Sequence, residues 1–175
     1  MSDTTSPLEL PHVAPDEFRA AIRHLAGGVV IIASGSGADR RGLTATAACS
    51  LSTDPPSILV CVNRTAEAHD VITQTRSFSV NVLTSDHVEL ANKFAGRDGS
   101  KGAIRFAQEL WSTLATGTPV LADAISAFDC SLFETCETKT HTVFIGRVVG
   151  VAARSVATPL LYHNGRYGVV AHVEG

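Results

Sequence analysis

GLTATAACSLSTDPPSILVCVN, residues 42–63, is the stretch from which the fold is read. Its first half is built of small residues and hydroxyls: Thr44, Ala45, Thr46, Ala47, Ala48, Cys49, Ser50, Ser52 and Thr53. Its second half, Ser57 to Val62, is an apolar run of the kind that fills a buried strand, entered through the turn residues Asp54-Pro55-Pro56. Core strands are normally filled with bulky side chains. A strand this small leaves space beside its backbone and lets N–H groups approach something flat.

Working outward towards the N-terminus, Val29 to Ala33 is a β-branched apolar run and predicts a buried strand. Ser34 to Gly42 (SGSGADRRG) predicts a turn, so this strand and a Leu43–Ser50 strand form a hairpin. Asp16 is expected to cap a helix running to about Ala26, with Phe18, Ile22, Leu25 and Ala26 inward and Gly27-Gly28 ending it. Met1 to Pro15, with three prolines, reads as a flexible lead-in, leaving residues 16–175 as one domain.

Towards the C-terminus, a helix is expected over Glu67–Thr75 with Ala68, Val71 and Ile72 inward and Thr65 as its cap. Phe78 to Leu83 alternates apolar and polar residues and predicts a strand with one wet face. Thr84-Ser85-Asp86 with Glu89 marks a helix start, with Val88, Ala91 and Phe94 buried. Gly96 to Gly102 (GRDGSKG) is a loop, and Trp111 a local anchor. A strand near Ala127–Glu137 should place Cys130, Leu132, Glu134 and Cys136 on one face. His141 to Ala153 is a long strand, and Leu160 to Val170 a hairpin around the Asn164-Gly165 turn signal. Six to eight strands follow one another through turns, with about three helices. That order predicts a mainly β fold: an antiparallel barrel with helices packed outside it.

Composition bounds the chemistry. The chain has 175 residues, 45% apolar and 18% charged, with a net charge of −3 and no Lys/Arg block. It is therefore read as a globular protein whose partners are neither nucleic acid nor an anionic membrane. The longest apolar runs are too short to span a bilayer, and Met1–Leu10 lacks the pattern of a secretory signal, so a cytoplasmic location is expected. The four cysteines have no CxxC spacing and read as buried thiols of a reducing compartment. The seven histidines form no HxH or HExxH pattern, so no metal site is expected. Neither a nucleophile elbow nor a P-loop is present, and the short glycine pairs do not make a dinucleotide fingerprint.

Four features carry chemistry, each with an ordinary counterpart. The hydroxyl-rich run 44–53 is a slot or a Thr/Ser edge strand. Asn63-Arg64-Thr65-Ala66-Glu67 offers a helix N-terminus to an anion, or is a plain cap. Arg97-Asp98-Gly99-Ser100-Lys101 is a phosphate-holding loop or a solvated turn, and His141 is functional or structural. Together, a small-residue strand, amide donors and a basic loop are what a flavin nucleotide requires.

The ordered set of segments resembles the flavin reductase-like family, the small reductase components of two-component flavin monooxygenases. The resemblance rests on Gly27-Gly28-Val29-Val30, Gly42-Leu43-Thr44-Ala45-Thr46, Ser50-Leu51-Ser52 with Asp54-Pro55-Pro56, and Leu59 to Arg64. Further on it rests on Phe78 to Leu83, Phe94-Ala95, His141 to Val148, and Pro159 to Tyr162 with Gly165-Arg166-Tyr167. It implies a split β-barrel, a homodimer, bound FMN or FAD, and reduction of that flavin by NADH or NADPH for a partner oxygenase. It also implies site roles. Thr44, Ala45, Thr46, Ala47, Ala48, Ser50 and Leu51 would line the flavin ring. Thr65, Ala66 and Glu67, with Val71 and Ile72 behind them, would hold the ribityl–phosphate side. Arg97 and Asp98 would reach the phosphate or the adenosine half, and His141 would lie near the nicotinamide. Two departures stand out: Lys139-Thr140 precedes His141 where the family often has Gly-Asp, and Thr46-Ala47-Ala48 stands where many members carry Asn-Ser or Ser-Ser. The expected platform is therefore mostly backbone. The alternatives are a non-catalytic flavin-binding or sensor module on the same barrel, and a flavoprotein that passes electrons to another acceptor.

Overall fold

The computed structural model describes residues 11–154 and 157–172, so the first ten residues of the expected lead-in lie outside the described residues. Among the described residues there are three α-helices: α1 (Pro15–Ile22), α2 (Glu67–Thr75) and α3 (Val88–Phe94). The strands are β1 (Gly27–Gly28), β2 (Val30–Ser34), β3 (Arg41–Ala45), β4 (Ala48–Thr53), β5 (Pro56–Asn63), β6 (Ser77–Val82), β7 (Trp111–Thr113), β8 (Pro119–Leu121), β9 (Ser126–Glu137), β10 (His141–Ala153), β11 (Leu161–His163) and β12 (Arg166–Gly168).

Seven strands form one antiparallel sheet in the order β3-β2-β6-β9-β10-β5-β4. Its two edges, β3 and β4, are consecutive in the chain and separated only by Thr46-Ala47. Each residue spans at most about 3.6 Å, so the link holds the two edges at one corner. A sheet with its ends so tied must curl, and the result is a split barrel, open along the β3 edge. The other sheets are β1-β11-β12 and β7-β8.

Side-chain alternation divides the core in two. Val30, Ile32, Ile58, Val60, Phe78, Val80, Cys130 and Phe144 fill the barrel interior, closed by Ile72 of α2. Ile31, Ala33, Leu90, Phe94, Phe106, Val120 and Leu121 form a second core outside the sheet, under α3 and the β7-β8 hairpin. β2 feeds both, which is why it reads as an unbroken apolar run: all five of its residues are buried. Trp111 anchors the outer core, its ring centroid 4.8 Å from that of Phe106 and 5.7 Å from that of Phe94.

Several local expectations are corrected by packing. The Leu43–Ser50 strand is two strands, because the chain crosses from one sheet edge to the other at Thr46-Ala47. Asp54-Pro55 is a tight reversal, with Thr53 paired to Pro56, so β5 begins at Pro56. α1 begins at Pro15, with Ala14 and not Asp16 as its N-cap, ends at Ile22 and buries none of its residues. Phe18, Ile22 and Leu25 are exposed, since no described element covers them. α2 has the expected bounds, but Ala66 is its N-cap and no side chain caps it. Thr65 instead turns back, its N–H and hydroxyl both donating to Asn63 Oδ1 at 2.9 Å.

β6 has no wet face, because the β7-β8 hairpin covers that side. Its buried Asn81 donates to the Ile31 carbonyl and accepts from the Leu121 N–H, and Ser79 donates to the Pro119 carbonyl. A register shift in β9 sets Leu132 opposite Gly146 and Glu134 opposite Ile145, so Glu134 leaves the face that Cys130 and Leu132 share. Of the cysteines only Cys130 is buried, and burial pushes its thiol up to about 12; Cys49 and Cys136 are exposed and Cys61 half-buried. The Asn164-Gly165 hairpin is as expected, both residues adopting positive φ (47° and 79°).

Gly146 marks a tight contact between β10 and the barrel core. A Cβ there would lie 2.7 Å from Cys130 Cβ and 2.7 Å from Phe78 Cζ, both fully buried. Gly146→Ala is expected to lower unfolding free energy by about 1–3 kcal/mol in urea titration; an unchanged midpoint would show that the β9–β10 pair yields there.

Candidate functional site

The open edge of β3 is the floor of the site. The Gly42 carbonyl accepts from Arg105 Nη1 at 3.2 Å, so it points away from β2. Within an antiparallel strand the N–H and C=O of a residue share one edge, and alternate residues share it. Gly42 and Thr44 therefore turn their N–H groups to the open edge. The Thr44 hydroxyl is already engaged, donating to the Ala91 carbonyl of α3 at 2.7 Å. Ala45 has no side-chain donor, so towards the trough β3 offers backbone N–H groups, with the Thr46 hydroxyl following in the slot.

Two cavities lie along this edge. A cleft of about 430 Å³ is lined by Gly42, Leu43, Thr44, Thr65, Ala66, Glu67, Phe94, Ala95, Lys101 and Arg105. A slot of about 220 Å³ adjoins it, lined by Val29, Thr44, Ala45, Thr46, Ala95, Arg97, Tyr162 and Tyr167. Thr44 and Ala95 belong to both, so cleft and slot form one trough.

The loop over the cleft is built by backbone-seeking side chains. Arg105 donates through Nε and Nη2 to the Ser100 carbonyl (2.9 and 2.7 Å) and through Nη1 to Gly42 and Phe94 carbonyls. It thereby ties the loop to β3 and α3 while its charge meets no carboxylate among the described residues. Glu67 Oε2 accepts from the Gly102 N–H at 3.1 Å, joining α2 to the same loop. Asp98 accepts from the hydroxyl and N–H of Ser100, which hold its carboxyl below the usual range. In the slot the Arg97 guanidinium lies 5.5 Å over the Tyr167 ring, and Tyr167 meets Tyr162 edge-on at 5.3 Å. Burial raises the Tyr167 hydroxyl above its ordinary value.

Thr44, Ala45, Thr46, Thr65, Ala66, Glu67 and Arg97 are thus brought together in one trough. Ala47 is exposed in the link between the sheet edges. Ala48 and Ser50 line a different, apolar cavity of about 400 Å³ at the mouth of the barrel, and Leu51 is exposed on β4. Val71 is half-buried, Ile72 is a fully buried core residue, and Asp98 faces solvent. His141 is exposed at the start of β10, paired with Asn63 and bonded through Nδ1 to Thr140 Oγ1 at 2.9 Å; it lines neither cavity. Sequence reasoning passed over Arg105, Tyr162 and Tyr167 as contributors to the walls. The available signal for Arg105 was a lone cation between apolar neighbours in Ala103-Ile104-Arg105-Phe106.

Comparison with known proteins gives a consistent result. Residues 22–171 match the flavin reductase like domain. The chain is 36% identical over 167 residues to the FMN reductase (NADH) RutF of Serratia proteamaculans, covering 95% of this chain and 93% of that protein. It is 39% identical over 163 residues to the FMN reductase (NADH) RutF of Bradyrhizobium diazoefficiens, covering 93% and 89%. Among solved structures, BorF, the flavin reductase component of a bacterial two-component tryptophan halogenase, superposes with a TM-score of 0.82 at 29% identity, covering 91% of this chain and all of that one (100%).

Arg105 holds three segments through carbonyls alone, so its loss has a structural signature. Arg105→Ala is expected to cost ~2 kcal/mol of stability and to open residues 96–102 to limited proteolysis. A loop that stays protected would show that Glu67 and Asp98 suffice to hold it.

Proposed function

This chain belongs to the flavin reductase like domain family, and on that premise we propose that it reduces FMN with NADH and releases the reduced flavin to a partner oxygenase. The observation that carries the reading is the trough: an unpaired strand edge of small residues that ends at two cations, Lys101 and Arg105.

The donor set suits FMN. Lys101 offers a phosphate its ammonium donors, and Arg105, whose other N–H groups are held by carbonyls, adds one remaining Nη2 donor and a charge that no carboxylate neutralises. The N-terminus of α2 has no side-chain cap; the Thr65 and Ala66 N–H groups are bonded to Asn63, so the Glu67 N–H is the amide donor it turns to the same cleft, with a favourable dipole. The small side chains of Thr44, Ala45 and Thr46 leave the strand face open to a flat ring. The N–H groups of Gly42 and Thr44 are available to ring oxygens, where fixed donors stabilise developing negative charge. When bound, FMN supplies the hydride acceptor and NADH the hydride. The protein's part is orientation and charge stabilisation, which is why no acid–base dyad is required. His141, the cross-strand partner of Asn63 two residues before the cleft-lining Thr65, is the group we assign to positioning the nicotinamide.

A homodimer belongs to the same reading. The apolar cavity at the barrel mouth is walled by Val80, Val82, Phe128, Val148 and Val151; Val151 is exposed, and so is Leu51, which stands on β4 between the lining residues Ser50 and Ser52. A second copy covering that mouth would remove this surface from water.

The test is steady-state turnover of the purified chain with each pairing of FMN or FAD with NADH or NADPH, followed at the nicotinamide absorbance band. Oxidation that requires flavin, fastest with FMN and NADH, is expected. No oxidation with any pair would overturn the reading, and flavin-fluorescence quenching without turnover would make the chain a binding module. His141→Ala is expected to raise the NADH KM about fivefold, the scale of one lost hydrogen bond, with flavin affinity unchanged. An unchanged KM and rate would remove His141 from the site.

A further inference from the structure

Outside the trough, a buried histidine takes no part in flavin reduction. His87 ends the 3-10 turn Ser85–His87 and is the N-cap of α3, and it is buried. The Thr84 N–H donates to His87 Nδ1 at 3.1 Å, and the Thr84 hydroxyl lies 3.2 Å from the same nitrogen. On the other side of the ring, Nε2 is 3.1 Å from Asp123 Oδ2, in the turn between β8 and β9. A backbone N–H can only donate. Nδ1 is therefore the bare nitrogen, and Nε2 carries the hydrogen that it donates to Asp123.

The neutral ring satisfies Thr84 fully and Asp123 only in part. Asp123 Oδ1 is buried and accepts from no donor among the described residues. A carboxylate left one donor short favours a cation beside it. A second proton on the ring, at Nδ1, supplies that cation, but it sets a new N–H against the N–H of Thr84. The Thr84 hydroxyl can reverse its role; the backbone N–H cannot. The bond given up belongs to the capping box that closes the turn, whose other half is the Asp86 N–H donating to Thr84 Oγ1 at 3.3 Å. The remaining charged groups about this joint are Asp86 and Glu89 on its own segment and Arg154, whose Nη2 donates to the Ala122 carbonyl next to Asp123.

The chain before this turn is fixed, and the chain after it is a wall of the trough. The Leu83 N–H donates to the Val29 carbonyl at 3.0 Å and the Ser85 N–H to the Thr158 carbonyl at 2.9 Å. α3 follows His87 directly. Its Ala91 carbonyl receives the Thr44 hydroxyl of β3, Phe94 and Ala95 line the cleft, and the Asn92 carbonyl accepts from the Arg97 N–H at 3.1 Å. We propose that His87 is a proton-operated latch on this wall. Neutral, it caps the turn and holds α3 against β3. Protonated, it gives up the Thr84 N–H in favour of Asp123, and α3 shifts with Phe94, Ala95 and Arg97, so that flavin is held less tightly. His87 lines neither cleft nor slot and is a positioning residue. By linkage, a proton on His87 and flavin in the trough oppose each other. The identity of the ligand rests on the flavin reductase reading above; the latch itself does not.

The test follows two signals between about pH 5 and 8, the range in which an imidazole changes charge. Trp111, the single tryptophan, lies against Phe94 with ring centroids 5.7 Å apart, so its emission reports the position of α3 in flavin-free protein. FMN affinity is read by quenching of flavin fluorescence. His87→Asn places Oδ1 where Nδ1 stood; it accepts from Thr84 at every pH and does not reach Asp123. Wild type is expected to show a Trp111 transition on acidification that His87→Asn lacks. Its FMN affinity should fall about fivefold more than that of His87→Asn, the scale of one lost hydrogen bond. Titration of the FMN phosphate is common to both proteins and drops out of the comparison. Asp123→Asn removes the anion that favours the imidazolium and should move the Trp111 transition to lower pH; it decides the matter if His87→Asn melts early. Superimposable pH curves for wild type and His87→Asn, or a transition that Asp123→Asn leaves in place, would overturn the latch. A Trp111 transition with no excess loss of FMN affinity would show that the latch has no hold on the trough, and the proposal falls with it. Wild type that binds no FMN at any pH would instead remove the flavin reading, and the Trp111 transition would still stand or fall by His87.

Discussion

Two residues, Thr46 and Ala47, tie the opposite edges of a seven-stranded sheet together. Much of the architecture follows from that short tether. It forces the sheet to curl around Ile32, Val60, Phe78 and Phe144, and it stops β3 and β4 from separating. It does not close the barrel, because β3 and β4 are not paired with each other. The backbone groups of β3 that face outward remain without strand partners. An unpaired edge is ordinarily a hazard for aggregation. Here it is covered by α3, by the Arg105 loop and by the Tyr167 hairpin, and what they leave open is the trough.

The way the cations are held matters as much as their number. Arg105 spends its donors on carbonyls of Ser100, Gly42 and Phe94, and Arg97 lies over an aromatic ring. Both arrangements orient a guanidinium without cancelling its charge, as a carboxylate would. The nearby acids are occupied by backbone N–H groups instead: Glu67 by Gly102, and Asp98 by Ser100. A site organised in this way keeps its positive potential for a ligand while its loop stays ordered.

The small-residue strand also explains why the site is mostly backbone. A bulky or hydroxylated strand would supply side-chain donors but would fill the slot. With Thr44 bonded to Ala91 and with Ala45 beside it, the chain leaves space and lets the edge amides act. Gly42 belongs to the same bargain in geometry, since a Cβ there would come within 2.7 Å of the buried Phe94 ring.

The sequence alone determined what depends on local chemistry. The β-rich class, the bounds of α2, the Asn164-Gly165 hairpin and the open character of residues 44–46 follow from periodicity, turn residues and side-chain size. None needs a distant partner. It also ordered the segments well enough to identify the family resemblance. Only the tertiary structure decided which strands are edges, and so split the supposed Leu43–Ser50 strand. It buried Ser79 and Asn81 under a hairpin that no local pattern announces, and shifted the register of β9 so that Glu134 leaves the inner face. It alone joined Arg97 to Tyr167, across some seventy positions of chain, and set Arg105 against Gly42. The physical reason is that these are non-local contacts. A residue's type limits the partners it can take, but the curl of the sheet determines which of them it meets.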